Sequence, residues 1–223
     1  MLSLACIAMQ KPARVYDLIA DRWNEKHYKT RSWVRFFRHF IAKKGVLLDA
    51  GCGNAINSIY LAPIAKKIYA VDLSKRMVSL AKSNVKKEKL SKRIAVTHAD
   101  VLNLPFKNSF FDYAVYFAVL HHFLNKKDWE RAFGEMNRVL KKGGLAFITV
   151  KNIDYSNRGS KGKVVSLNFS DNTSQNSARV YYLIEKKQIV SLVEKCGFKV
   201  KSFFYEKRGV LTSRRSGFNS CLV

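Results

Sequence analysis

Acidic residues are scarce in this chain: 16 Asp and Glu face 41 Lys and Arg in 223 residues, a formal net charge of +25 at neutral pH. That imbalance predicts a polyanionic partner. The excess is +6 over residues 1–50, +10 over 51–150 and +9 over 151–223, so it belongs to a folded body with basic faces rather than to a basic tail. Cysteine is limited to Cys6, Cys52, Cys196 and Cys221, with no C-x-x-C pair and no metal-ligand spacing. A disulfide framework and a metal site are therefore not expected, and a reducing cytoplasm is the expected setting. Long apolar runs are also missing. The stretch Phe110 to Leu124 is broken by Asp112 and two histidines, short of the roughly 20 apolar residues that a membrane span needs. Leu2 to Met9 has no charge before it and reads as a frayed extension rather than a signal segment. A soluble protein with no membrane partner and no internal repeat is expected.

What is present is an alternation of strand-like and helix-like segments. Val15, Ile19 and Trp23 recur at helical spacing, as do Val34, Phe37, Phe40 and Ile41, which predicts two helices covering one edge of the fold. Short β-rich runs follow at 46–49, 67–72, 94–97, 113–117 and 145–150, separated by helix-length polar stretches, so a parallel sheet covered on both faces is expected. Ser74 is placed to cap a helix running to about Lys87, and Asp128 one carrying Trp129, Phe133, Met136 and Leu140. A last helix over 185–196, closed by Gly197, leads to a strand over 198–205, and 210–223 offers one more strand after a turn at 214–217. The fold class expected is α/β, Rossmann-like, with seven mostly parallel strands. Residues 1–45 form a helical extension and 46–223 one domain, in which the polar, turn-rich segment 151–178 is a substrate-side loop insertion.

The first strand ends in Asp49-Ala-Gly51-Cys-Gly53-Asn54. Glycines after a buried strand let the backbone turn sharply against a ligand, and the helix behind them presents free N–H groups. No third glycine stands at Ile56, so this is not the dinucleotide fingerprint. Asp49 suits a cationic end of a ligand such as a methionine amino group. Asp72, at the end of the second strand, can accept from two ribose hydroxyls, and Asp100, after the third, from an exocyclic adenine amine. Each acid alone could merely cap the next helix. Together they sit at the carboxyl ends of three successive strands, where open α/β sheets bind ligands.

These residues, with Ala70-Val-Asp72-Leu-Ser74, Ala99-Asp100-Val101-Leu-Asn-Leu-Pro105-Phe, Phe111-Asp112-Tyr-Ala-Val through Ala118 to Leu120-His121-His122, and Arg138-Val-Leu-Lys-Lys-Gly143-Gly144, resemble the successive motifs of class I S-adenosylmethionine methyltransferases over about 45–150. The resemblance implies S-adenosylmethionine as cofactor, held by Asp49, Gly51, Gly53, Asp72, Asp100, Val101 and Ala118. Ala55 stands where the family often has glycine, and its methyl is expected to narrow the pocket. Within that class, Val15-Tyr16-Asp17-x-Ile19-Ala20-x-x-Trp23, the Leu-Pro-Phe run, the doubled histidine and Arg179-Val-Tyr181-Tyr182 resemble the tRNA methyltransferases that esterify carboxymethyluridine at the wobble position. Tyr182 and Tyr205-Glu-Lys-Arg-Gly209 depart from that family's pattern.

That resemblance implies an arginine clamp for the acceptor carboxylate: Arg31 of Thr30-Arg31, with His27 as the rival position, together with Arg179. It implies tRNA as partner and a small zinc-containing activator subunit. His121 is the histidine assigned to the site, on the expectation that neighbouring side chains of an extended segment point to opposite sides. Tyr155, Phe169, Tyr181 and Tyr182, among Lys151, Arg158, Lys161, Lys163 and Arg179, suit splayed single-stranded bases; Tyr181 and Tyr182 equally suit the apolar start of the last helix. Two other readings stay open: a small-molecule methyltransferase with an apolar acceptor pocket, and a non-catalytic RNA-binding or activator module.

Overall fold

Five runs rich in β-branched and aromatic residues pair side by side: β1 (Val46–Ala50), β2 (Lys67–Asp72), β3 (Ile94–His98), β4 (Phe111–Phe117) and β5 (Leu140–Lys151). The computed structural model describes residues 12–41, 44–152, 164–168, 178–207, 210–213 and 219–222. The extension Leu2 to Met9, the polar runs 156–163 and 170–177, Tyr155, Phe169 and the turn at 214–217 lie outside the described residues. All five strands run parallel in the order β3-β2-β1-β4-β5. This parallel centre replaces the seven mostly parallel strands expected. Beyond it, the described residues extend the sheet through β10 (Asn219–Leu222), β8 (Phe203–Lys207) and β9 (Val210–Thr212), joined by antiparallel pairings. The chain after 210 thus supplies two strands, and β8 begins later than expected.

Alternation along the strands sends apolar side chains to two cores. On one face Leu48, Tyr116 and Ile148 pack with Trp129, Phe133 and Met136 of α5 (Lys126–Val139) and Ile189 and Leu192 of α6 (Lys186–Lys195). On the other, Leu47, Val115 and Phe147 pack with Val34 and Phe37 of α2 (Ser32–Phe37), Leu61 of α3 (Ile56–Leu61), and Ala81 and Val85 of α4 (Lys75–Lys87). Ser74 caps α4 as predicted, its Oγ accepting from Met77 N at 3.0 Å, which contributes roughly 1 kcal/mol. The cap of α5 is Asn125, which accepts from Asp128 N at 2.9 Å, so Asp128 lies in the first turn instead.

Two further departures shape the functional end. Among the described residues the first helix, α1 (Pro12–Lys26), packs against α4 and the strand β7 (Ala178–Tyr182) rather than joining α2 to cover one edge of the fold. Within the segment expected to be loop, β6 (Val164–Asn168) pairs antiparallel with β7. Arg179, Tyr181 and Tyr182 therefore sit on a hairpin strand, not at the start of a helix.

Candidate active site

The strand order turns back between β1 and β4, which makes the crevice at their carboxyl ends the natural ligand site. Gly51 and Gly53 both adopt left-handed backbone, with φ of 73° and 54°. A side chain at Gly51 would stand 2.3 Å from Val119 Cγ2, whereas one at Gly53 would meet nothing within 4 Å. Gly51 is thus required by packing, and Gly53 borders open space that a ligand can occupy. Ala55 is also left-handed, with φ of 63°. Its methyl is buried in the α2–α4 core, which corrects the expectation that it narrows the pocket; its disadvantage is backbone strain, roughly 1 kcal/mol relative to glycine.

Asp72 holds the mouth of this turn. Its Oδ2 accepts from Gly53 N at 2.8 Å and its Oδ1 from Ser74 N at 2.9 Å. A carboxylate has about four acceptor sites, so each oxygen keeps capacity for a ribose hydroxyl. Burial raises its pKa, against the lowering effect of those two N–H groups. Asp100 closes a local turn by accepting from Leu102 N through Oδ1 at 2.9 Å, so Oδ2 is the oxygen it would offer an amine. The Val101 side chain is buried in the core, which limits its contribution to backbone. Ala118, at the end of β4, is exposed in left-handed backbone, and its N–H donates to Thr149.

Asp49 is 1% exposed and accepts from Ser58 Oγ at 2.6 Å. Burial pushes its pKa from the ordinary 3.8 to about 7, with the Asp72 charge adding to the rise and the serine bond opposing it. A cationic ligand group nearby would reverse that penalty. The open cradle at Gly53, the ribose-type acceptor Asp72 and this buried acid therefore fit the donor set that an amino-acid nucleoside needs. The sign of the linkage is testable. Because the protonated form of Asp49 is favoured on folding, its stabilising contribution is present below pH 4 and lost as pH rises through 7. His121 and His122, pushed below their ordinary range by burial, act in the opposite sense as pH falls. We expect Asp49→Asn, compared with the unmodified protein in denaturant titrations, to gain roughly 2–3 kcal/mol of relative stability between pH 5 and pH 8. Parallel pH profiles for the two proteins would contradict it.

Beyond the donor turn lies a cationic, aromatic end. The segment Leu120–His122 is a 3-10 turn and not extended, so the two histidine rings stand 4.7 Å apart and both face Tyr181. The expected opposition of their side chains is overturned. His121 is 2% exposed, and its Nδ1 accepts from Lys151 N at 3.3 Å. His122 is less buried and its Nε2 lies 3.1 Å from Tyr16 Oη. Burial and the Arg179 charge bring the His122 pKa down to about 3, so it is neutral near pH 7.

Arg179 lies over the rings of Trp23 and Tyr181, at 5.3 and 5.7 Å from their centroids. Lys151 Nζ is 5.0 Å from the Tyr181 centroid. Burial, then the charges of Arg179 and Arg31, lower its pKa to about 7, while Glu206 acts to raise it. Arg31 is exposed at the start of α2, on a groove of about 190 Å³ lined by Lys26, His27, Tyr28, Lys29 and Thr30. The His27 ring is stacked 3.7 Å from Trp23, with its Nδ1 held by Trp23 O at 3.0 Å. A second cavity of about 260 Å³, lined by Lys141, Lys142 and Lys201 among others, lies at the opposite end of the sheet and holds none of these groups.

The structure thus gathers Asp49, Gly51, Gly53 and Asp72 at one turn, and His121 and Arg179 beside Tyr16, Trp23, His122 and Lys151 at the other end. Lys151, expected only as one of several basic positions beside the aromatics, is placed by the same rule that selects Asp49 and Asp72, since it ends the apolar run of β5.

This geometry defines a Rossmann-like ligand crevice at the carboxyl ends of the strands. Residues 48–148 match the methyltransferase domain family. A tRNA (carboxymethyluridine(34)-5-O)-methyltransferase of Arabidopsis thaliana is 34% identical over 61% of this chain, which spans only 31% of that relative's length. An uncharacterized protein of Methanocaldococcus jannaschii is 30% identical over 91% of this chain and 74% of its own. A demethylmenaquinone methyltransferase of Bacillus cereus is 30% identical over 60% of each. Among solved structures, the methyltransferase in a complex with the Trm112 activator from Haloferax volcanii superposes with TM-score 0.67 over 95% of each chain at 13% identity, a likeness of fold alone. The chain belongs to the class I S-adenosylmethionine-dependent methyltransferases, and S-adenosylmethionine is the cofactor its family implies. Among the described residues no helix is long and apolar enough to cross a membrane.

Proposed function

We propose that this chain methylates tRNA, esterifying the carboxylate of carboxymethyluridine at the wobble position. The observation that carries the reading is the convergence of Arg179, Lys151 and the charge of Arg31 on one aromatic-lined end of the crevice. An anionic acceptor fits that field; the Arabidopsis relative's name and the net charge of +25 are consistent with an RNA carrier for it. When bound, S-adenosylmethionine supplies an electrophilic methyl group on a sulfonium. The acceptor carboxylate is already ionised near neutral pH, so no general base is required and orientation dominates. Asp49, Gly53 and Asp72 would hold the donor, which would supply its methyl to the carboxylate oxygen as the bonding pair returned to sulfur, leaving the protein no proton to move. Arg179, fixed between rings, holds the carboxylate, and Arg31 provides the second cation. Arg31 is favoured over His27 because the His27 ring is engaged with Trp23.

Mass spectrometry of nucleosides from carboxymethyluridine-containing tRNA, incubated with the protein, S-adenosylmethionine and a small zinc-containing activator, is expected to show an alkali-labile methyl ester. Its absence would overturn the reading. Arg31→Ala is expected to lower transfer roughly 10- to 100-fold, the worth of one charge-assisted hydrogen bond, while leaving donor affinity unchanged. Unchanged transfer would move the role to His27. The similarity to a quinone methyltransferase favours a small-molecule acceptor as the second reading. That reading expects methyl transfer insensitive to salt, whereas phosphate contacts make RNA binding fall steeply with ionic strength. A protein that fails to bind S-adenosylmethionine would instead support the non-catalytic reading.

A further inference from the structure

Helix α1 presents two side-chain stripes, each spaced seven residues apart and lying side by side on the helix: Tyr16 with Trp23, and Asp17 with Asn24. The first stripe faces the acceptor end, where Tyr16 meets His122 and Trp23 lies beneath Arg179. The second is bonded to both turns of the donor site. Asp17 Oδ1 accepts from Ser74 Oγ at 2.6 Å and from Arg76 N at 3.0 Å, immediately after Asp72. Asn24 Oδ1 accepts from Asn54 Nδ2 at 3.0 Å and from Asn84 Nδ2 at 2.9 Å. Asn54, the residue after Gly53, is 4% exposed and uses its other amide proton on His27 O at 2.8 Å. His27 in turn stacks on Trp23.

We infer that Asp17 and Asn24 are positioning residues that tie α1 to the donor turns, so that filling the donor site orders the acceptor pocket and the two ligands bind cooperatively. The acceptor half of this inference rests on the function proposed above; the donor half does not. The physical basis is that both turns gain rigidity when a ligand bridges Gly53 and Asp72, and α1 is hydrogen-bonded to the neighbours of each, Asn54 and Ser74. A helix held by these part-buried amides cannot move its Trp23 stripe independently of its Asn24 stripe. The same helix therefore reports donor occupancy to Arg179.

The test is hydrogen exchange of α1 amides with and without saturating S-adenosylhomocysteine, the product that methyl transfer leaves. In the unmodified protein, exchange over residues 16–27 is expected to slow by roughly five- to tenfold on ligand addition, in the usual range of coupling between sites. Asn24→Ala and Asp17→Ala are expected to lose that slowing at saturating ligand. Asn24→Asp and Asp17→Asn keep the accepting oxygen and are expected to restore it, which a role in bulk folding would not predict. At saturating donor, Asn24→Ala is further expected to raise the KM for tRNA by about the same factor and Asn24→Asp to recover it. An α1 whose exchange ignores the ligand, or an alanine variant that is protected like the unmodified protein, overturns the inference. Absence of tRNA methylation by the unmodified protein overturns the proposed acceptor instead, and leaves the exchange result to decide the coupling.

Discussion

Asp72→Ala is expected to abolish measurable S-adenosylmethionine binding, with affinity falling by roughly 10²- to 10⁴-fold for the loss of two charge-assisted hydrogen bonds. The carboxylate does two things at once. It accepts from Gly53 N and Ser74 N, joining the glycine turn to the cap of α4, and on our reading it accepts from both ribose hydroxyls. Asp72→Asn separates these functions. The amide keeps an accepting oxygen for one turn but cannot accept at both ends, so an intermediate loss is expected. Asp72→Ala leaves the Gly53 and Ser74 N–H groups without this acceptor and is expected to lower the melting temperature of the cofactor-free protein, Asp72→Asn less so. Calorimetric titration of both variants, alongside thermal melts, distinguishes a binding defect from unfolding. Affinity of Asp72→Ala within tenfold of the unmodified protein would remove Asp72 from the ribose contact.

The donor end was legible because each of its parts is a local rule. A strand that ends in an acid, followed by glycines that must turn, places Asp49, Gly51, Gly53 and Asp72 by chain-local geometry, and the structure has Asp49 near the end of β1, paired with Ala70 and Val115. Ala55 was legible as a departure but not in its consequence, since only the packed structure sends its methyl into the core. The acceptor end assembles residues from α1, the 3-10 turn, β5 and β7, and no periodicity within one segment links them. His121 and His122 illustrate the difficulty. A change from extended backbone to a single tight turn reverses which way adjacent rings point. Nothing in the spacing of α1 links Asp17 and Asn24 to α4 and the glycine turn, which only the tertiary fold brings against them. The β6–β7 pairing was obscured by the polar runs before and after β6, although Val164, Val165 and Leu167 supply the needed apolar character.

Arg179→Ala carries the second large effect: kcat/KM for the tRNA acceptor is expected to fall roughly 10²- to 10³-fold, the loss of a bidentate charge-assisted contact, with donor affinity unchanged. Arg179→Lys is expected to recover little of it. The guanidinium lies over Trp23 and Tyr181, and a lysine ammonium offers neither the planar fork nor the stack. The same substitution alters the pH response. With Arg179 present, Lys151 has a pKa of about 7, so the acceptor end loses a positive charge as pH rises through that value. Affinity for an anionic acceptor should weaken accordingly above pH 7. Removing Arg179 takes away the largest of the neighbouring charges that lower the Lys151 pKa, after burial itself, and leaves Glu206 to favour the charged amine. In Arg179→Ala the pH at which acceptor binding weakens is therefore expected to move upward, even as binding becomes weaker at every pH. KM measured across pH 6 to 9 for both proteins reads this shift directly. An unshifted midpoint would mean that Lys151 does not sense Arg179, and an undiminished kcat/KM would place the carboxylate elsewhere in the crevice.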